Sequence, residues 1–100
     1  RARELLAMIA IEDGQHYEAR GIVAELEGEE PANGALPELE RQTRVLLLKA
    51  RLDATLGDAA ACNATLEKAS KLLSKAPKAV QGALTAHLAE TAEAIGAAAA

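Results

Sequence analysis

Phenylalanine and tryptophan are absent from this 100-residue chain and tyrosine occurs once. Its interior must therefore be built from Leu, Ile, Val and a great deal of Ala, a mixture that lets helix axes approach closely. Few β-branched or aromatic residues remain to make strands, and no useful stretch alternates apolar and polar with period two, so the chain reads as all-helical. The single cysteine, Cys62, cannot form an internal disulfide and has no ligand pattern around it. That excludes a disulfide scaffold and a zinc module, and leaves the thiol as small core filler. Excess positive charge is also missing: the formal net charge is −4 and the pI near 5.1, which gives no global attraction to nucleic acid or anionic lipid. No apolar run is long enough to span a bilayer and no signal-peptide architecture is visible, so the expected compartment is the cytoplasm. The chain opens at Arg1 rather than methionine, which leaves open a trimmed fragment that has lost an upstream targeting segment.

What is present has the length of one domain near the small end of the usual range. Two cassettes, Asp13-Gly14-Gln15-His16-Tyr17-Glu18-Ala19 and Leu56-Gly57-Asp58-Ala59-Ala60-Ala61-Cys62, each sit between stretches of helical periodicity and mark the turn of a repeated helix hairpin. The first helix runs from about Ala2 to Ile11 or Asp13, with Leu5, Leu6 and Ile9 on one face and Met8 and Ile11 on another. After Gly14 a second helix begins near His16 and ends near Glu27, its stripe Ala19, Ile22, Val23 and Leu26 at spacings of three, four and seven. The segment from Gly28 to Pro37 holds two prolines, two glycines and an acidic pair and is a loop. The third helix starts at Pro37, with Glu38 and Glu40 favourable at its N-terminus, and ends at Gly57. Its apolar residues (Leu39, Val45, Leu46, Leu47, Leu48, Leu52, Leu56) cover so much of the circumference that it should be central. Asp58 caps a fourth helix with the stripe Cys62, Leu66, Ala69 and Leu73, flanked by Leu72. A break from Ser74 to Pro77 precedes a fifth helix with Val80, Leu84, Leu88 and Ile95, after which Gly96 to Ala100 should fray.

Aligned on Gly14 and Gly57, each hairpin has a small residue five positions on (Ala19, Cys62), an apolar one nine on (Val23, Leu66) and another twelve on (Leu26, Ala69). This pattern resembles the tetratricopeptide repeat family. In the first helices Leu6, Ala7 and Ala10 match the family's positions, as do Leu46 and Ala50 in the second copy. Lys49 and Asp53 stand where the family packs apolar side chains, and the two glycines are about nine residues further apart than the family period. The resemblance covers roughly residues 1–76 and implies a right-handed stack of two antiparallel hairpins (1–27 and 37–75, joined by a linker at 28–36) closed by a capping helix at 77–95.

The resemblance also implies that the first helix of each pair lines a concave groove. Groove candidates are then Glu4, Leu5, Met8, Ile11 and Glu12 in the first copy and Arg44, Leu47, Leu48, Arg51 and Thr55 in the second. Spacing adds its own hint: Arg41, Arg44, Leu48 and Arg51 fall three, seven and ten apart, putting three guanidinium groups on one face around a leucine, which suits an acidic or C-terminal peptide. The competing reading is a solvated stripe, some of it paired with Glu40 or the acidic linker. The Asn residues of the family's carboxylate clamp are missing, Met8 and Arg51 standing in their place. Met8 and Ile11 read either as an apolar anchor for a partner helix or as ordinary core.

Catalysis has no visible seat. His16 and His87 belong to no ligand set, no Ser or Cys sits in a nucleophile motif, and the glycines mark helix ends rather than a phosphate cradle. Glu27, Glu29 and Glu30 read as a hydrated loop, and Asn63-Ala64-Thr65 matches a glycosylation acceptor only by coincidence, inside a helix. The expected function is a non-catalytic scaffold or adaptor that binds a protein or peptide, without cofactor, metal, nucleic acid or membrane. The alternatives are a self-association domain and a regulatory segment of a larger regulator or enzyme.

Overall fold

The turns fix the architecture. In the computed structural model, which describes residues 2–30 and 33–99, Gly14 and Gly57 adopt φ of +74° and +81°. A Cβ at either would meet nothing within 4 Å, so the left-handed backbone and not crowding calls for glycine. Around Gly14 the amides of Gly14 and Gln15 donate to the carbonyls of Ile11 and Ala10; around Gly57 those of Gly57 and Asp58 donate to Ala54 and Asp53. The two sets occupy equivalent positions in the two cassettes, and each is the double-bonded helix stop that spends orphan carbonyls at a C-terminus.

Five helices result, α1 (Ala2–Glu12), α2 (His16–Glu27), α3 (Ala35–Thr55), α4 (Ala59–Ser74) and α5 (Lys78–Ala99), and no strand occurs among the described residues. The chain is all-α. Asp58 Oδ1 accepts from the Ala61 amide at 3.0 Å and caps α4, as its sequence position predicts. Two boundaries differ from expectation. α3 begins at Ala35, two residues before Pro37, because a proline inside the first turn forfeits no intrahelical bond. α5 does not stop at Ile95 but continues through Gly96 to Ala99, since a run of alanines has the highest helix propensity and needs no partner face to persist. The expected fraying at residue 100, and the linker positions 31 and 32, lie outside the described residues. No helix among those described is long and apolar enough to cross a membrane.

α3 is central, as its apolar circumference requires: it packs on every other helix, whereas α1 and α5 each lie against α3 without packing on one another. The contacts are made through small residues. Ala7 on α1, Ala19 on α2, Ala50 on α3 and Ala69 on α4 are all completely buried, at positions where a larger side chain would hold helix axes apart. One core cluster joins α1, α2 and α3 through Ala7, Ala10, Ile11, Ala19, Val23, Leu26, Val45, Leu48 and Leu52; a smaller one joins Leu73, Ala76 and Leu84, with Leu39, Val80 and Leu88 against it. The face of α1 that packs is therefore Glu4, Ala7, Ala10 and Ile11. Leu5, Leu6 and Ile9, which share a face by spacing, stay 60%, 54% and 53% exposed.

Candidate functional site

A crevice opens where α1 and α5 flank α3. Glu4, Leu5 and Met8 line one side, His87 and Thr91 of α5 the other, and Arg44, Leu47, Leu48 and Arg51 of α3 the floor between them. Its enclosed volume is about 70 Å³. That is about half of a cavity that holds benzene, so the enclosed part admits the end of one apolar side chain, not a helix. Leu47 and Leu48 are almost fully buried and present only an edge to it; Met8 is half-buried and Leu5 mostly exposed. Thr91 is itself buried, its hydroxyl donating to the His87 carbonyl at 2.9 Å.

The charged residues around this floor already hold partners. Arg44 donates from Nε to Glu4 Oε1 at 2.8 Å and from Nη2 to Oε2 at 3.4 Å. This forked pair ties α1 to α3, and its Glu4 side chain is only 11% exposed. Arg51 reaches Glu12, also on α1, at 3.7 Å. Arg41 turns the other way: it grips Glu38 one turn earlier on α3 and donates at 3.1 Å to the Leu26 carbonyl at the end of α2, and the bond to Glu38 raises its pKa. It is thereby a side-chain cap on α2.

These contacts revise several sequence expectations. Arg41 lies outside the crevice, and the three guanidinium groups answer to Glu38, Glu4 and Glu12 rather than to Glu40 or a common ligand. Ile11 is 5% exposed inside the main core, because its side of α1 faces α2 and α3, so it is no surface anchor. Glu12 stands at the edge as Arg51's partner. Leu5, Met8, Arg44, Leu47, Leu48 and Arg51 are brought together around the crevice. His87 and Thr91 were not among the sequence candidates; they sit one turn apart beside the Leu84 and Leu88 stripe, which packs towards both α3 and α4. The linker acids have cations of their own, Glu29 meeting Arg3 at 3.0 Å and Glu27 meeting Lys49 at 3.7 Å.

A second, more open cleft between α2 and α3 is lined by Arg20, Glu27, Lys49, Asp53 and Asp58 among others. Asp53 Oδ2 is buried there and accepts no hydrogen bond from the protein. Burial pushes the Asp53 carboxyl above its ordinary range against the pull of Lys49. No group of three or more His, Cys, Asp or Glu able to hold a metal occurs among the described residues. Comparison of the chain with family models, with curated proteins and with solved structures returned no match.

Proposed function

We propose that the chain is a tetratricopeptide-like array, its two hairpins stacked in a right-handed sense with α5 as the closing helix, and that it acts without turnover as a scaffold holding an extended peptide along α3. The observation that carries this reading is the crevice itself: an apolar floor of Leu47 and Leu48 between two helices that do not pack on each other, with Met8 on one wall. A peptide would seat one apolar side chain there, with affinity supplied by burial and orientation by polar groups at the rim. Arg51 is the cation best placed for that second task. It is 3.7 Å from a carboxylate that is itself 61% exposed, so exchanging Glu12 for a peptide carboxylate sacrifices little. Arg44 is a poor candidate, because releasing it would strand Glu4.

The test is a random-peptide selection on the purified protein, followed by binding measurements on Met8→Glu and Arg51→Glu. Selected peptides should share one apolar position, lose at least about 10-fold in affinity on Met8→Glu, and lose their preference for an acidic neighbour on Arg51→Glu. Peptides that bind both variants as tightly as wild type would overturn the assignment of the crevice.

A further inference from the structure

Lysine is gathered in one part of this chain. Four of its five lysines, Lys68, Lys71, Lys75 and Lys78, fall between positions 68 and 78, and no acid occurs from Lys68 to Ala89. The formal charge of −4 is thus four clustered cations on a body that carries −8. All four lysines are exposed. Arg3, Arg41, Arg44, Lys49 and Arg51 each hold a carboxylate, whereas none of these four forms an ion pair among the described residues. The helix dipole accounts for Lys71 and Lys75 at the end of α4. It does not account for Lys68, more than a turn from that end, or for Lys78, which opens α5 where a cation is unfavourable.

Lys68, Lys71 and Lys75, at spacings of three and seven, share one edge of α4 with Leu72 beside them. That edge borders a groove. On the side of α3 turned away from the crevice, α2 and α4 flank α3 without packing on each other, and Val45, Leu46 and Leu72 line the gap with Lys68 at its rim. Its free space of about 340 Å³ is roughly twice a cavity that holds benzene, so more than one apolar side chain can enter. Arg41 and Lys49 also reach this groove, but they are engaged by Glu38 and Glu27. We propose that the groove and its lysine edge take an acidic amphipathic segment of another protein, its apolar side chains over Val45, Leu46 and Leu72 and its carboxylates along Lys68, Lys71 and Lys75. A helical segment presents carboxylates at the same spacings of three and seven. Other polyanions fit less well. The edge runs only about 10 Å along α4, so the further phosphates of a nucleic acid would meet the −8 body, and the four lysines include no arginine fork or aromatic platform. The apolar part is recessed between helices, where a side chain enters and a flat bilayer does not. This surface shares no residue with the crevice and does not rest on the peptide-binding reading there.

The probe is a fluorescent synthetic peptide of about 16 residues, with leucines at helical spacings and glutamates at most other positions, titrated with the purified protein and read by anisotropy. Wild type should bind it with a Kd below about 100 μM at about 50 mM salt, and at least about 10-fold more weakly at about 500 mM. Lys68→Glu with Lys75→Glu should lose at least about 10-fold while keeping the wild-type circular dichroism, and Lys68→Arg with Lys75→Arg should bind as wild type does. The salt series on wild type decides the charge question even if the glutamate pair does not fold. A peptide with serine for every leucine should bind at least about 10-fold more weakly. No binding up to about 1 mM, binding indifferent to salt or to the glutamate pair, or tighter binding of the serine peptide, single-stranded DNA or phosphatidylserine vesicles than of the leucine peptide overturns the proposal.

Discussion

Removing the Arg44 side chain should loosen the whole helical fold, because it strands a carboxylate between α1 and α3. Glu4 is 11% exposed at its side chain, and its partner in the resulting gap is the forked guanidinium at 2.8 and 3.4 Å. Breaking a fully buried pair from one side costs about 3–5 kcal/mol; the crevice lets water reach this one, so about 2–3 kcal/mol is expected for Arg44→Ala. For a chain of this length that is a fall in Tm of roughly 10–20 °C. Replacing both partners is a different matter. The position equivalent to Glu4 in the second hairpin is Leu47, 1% exposed, so an aliphatic side chain fits that environment. Glu4→Leu with Arg44→Met should come within about 1 kcal/mol of wild type, since apolar packing substitutes well for a part-buried ion pair. Urea unfolding followed by circular dichroism on the wild type, Glu4→Leu, Arg44→Met and the double variant gives the coupling directly, expected near 2 kcal/mol. An Arg44→Ala loss below about 0.5 kcal/mol, or a double variant weaker than either single, would refute the claim that this pair holds the hairpins together.

Four single residues give further outcomes. Asp53→Ala, which installs the residue the first hairpin has at Ala10, should stabilise by about 1 kcal/mol at neutral pH by removing the unpartnered buried oxygen. Because the folded-state pKa of Asp53 is raised, wild type takes up its proton more readily folded than unfolded, so the advantage of the variant should shrink as pH falls through that raised value and vanish below about 4; an advantage that grows on acidification contradicts the assignment. Gly57→Ala and Asp58→Ala should each cost about 1 kcal/mol in thermal unfolding, the first through backbone strain at φ +81° and the second through the lost α4 cap, and a neutral result in either would mean the turn relaxes. Cys62 is 4% exposed, with its thiol pushed up chiefly by burial, so a disulfide reagent should modify it at the rate of unfolding and no faster.

Much of the fold was legible because its signals are local. A glycine followed by a polar N-cap, small residues at fixed offsets and the spacing of Ala19, Val23 and Leu26 each depend on a handful of neighbours, and each produced the element it predicts. Local pattern does not carry which of two apolar faces a helix buries. Leu5, Leu6 and Ile9 form as good a stripe as Ala7, Ala10 and Ile11, and hydropathy would choose the leucines. Packing chose the alanines, since two helices close in on that side of α1 and only small residues let both approach. The extension of α5 past Gly96 was missed for the opposite reason: a terminal alanine run needs no tertiary partner to stay helical.

The site was half legible, and its misread half was the arginine stripe. Spacing placed Arg41, Arg44 and Arg51 along one helix but says nothing about what faces them, and Glu4 lies 40 residues from Arg44 in the chain. A signal was available. Arg44 and Arg51 stand two turns apart on α3, and so do Glu4 and Glu12 on α1; two helices flanking one crevice with opposite charges at matched spacing define a register between them. The two hairpins share their glycine turns and the fully buried alanine pair Ala7 and Ala50, and apolar surfaces of this kind can slide past one another with little loss. Opposite charges cannot. With Glu4 and Glu12 on α1 facing Arg44 and Arg51 on α3, a slipped register takes the Glu4 carboxylate away from Arg44 in a part-buried gap, a penalty that favours the observed arrangement. Two of the three arginines that look like a binding face from one helix are, across two helices, ion pairs that hold α3 against α1, Arg44 on Glu4 and Arg51 on Glu12, with Met8 half-buried at the crevice wall beside them.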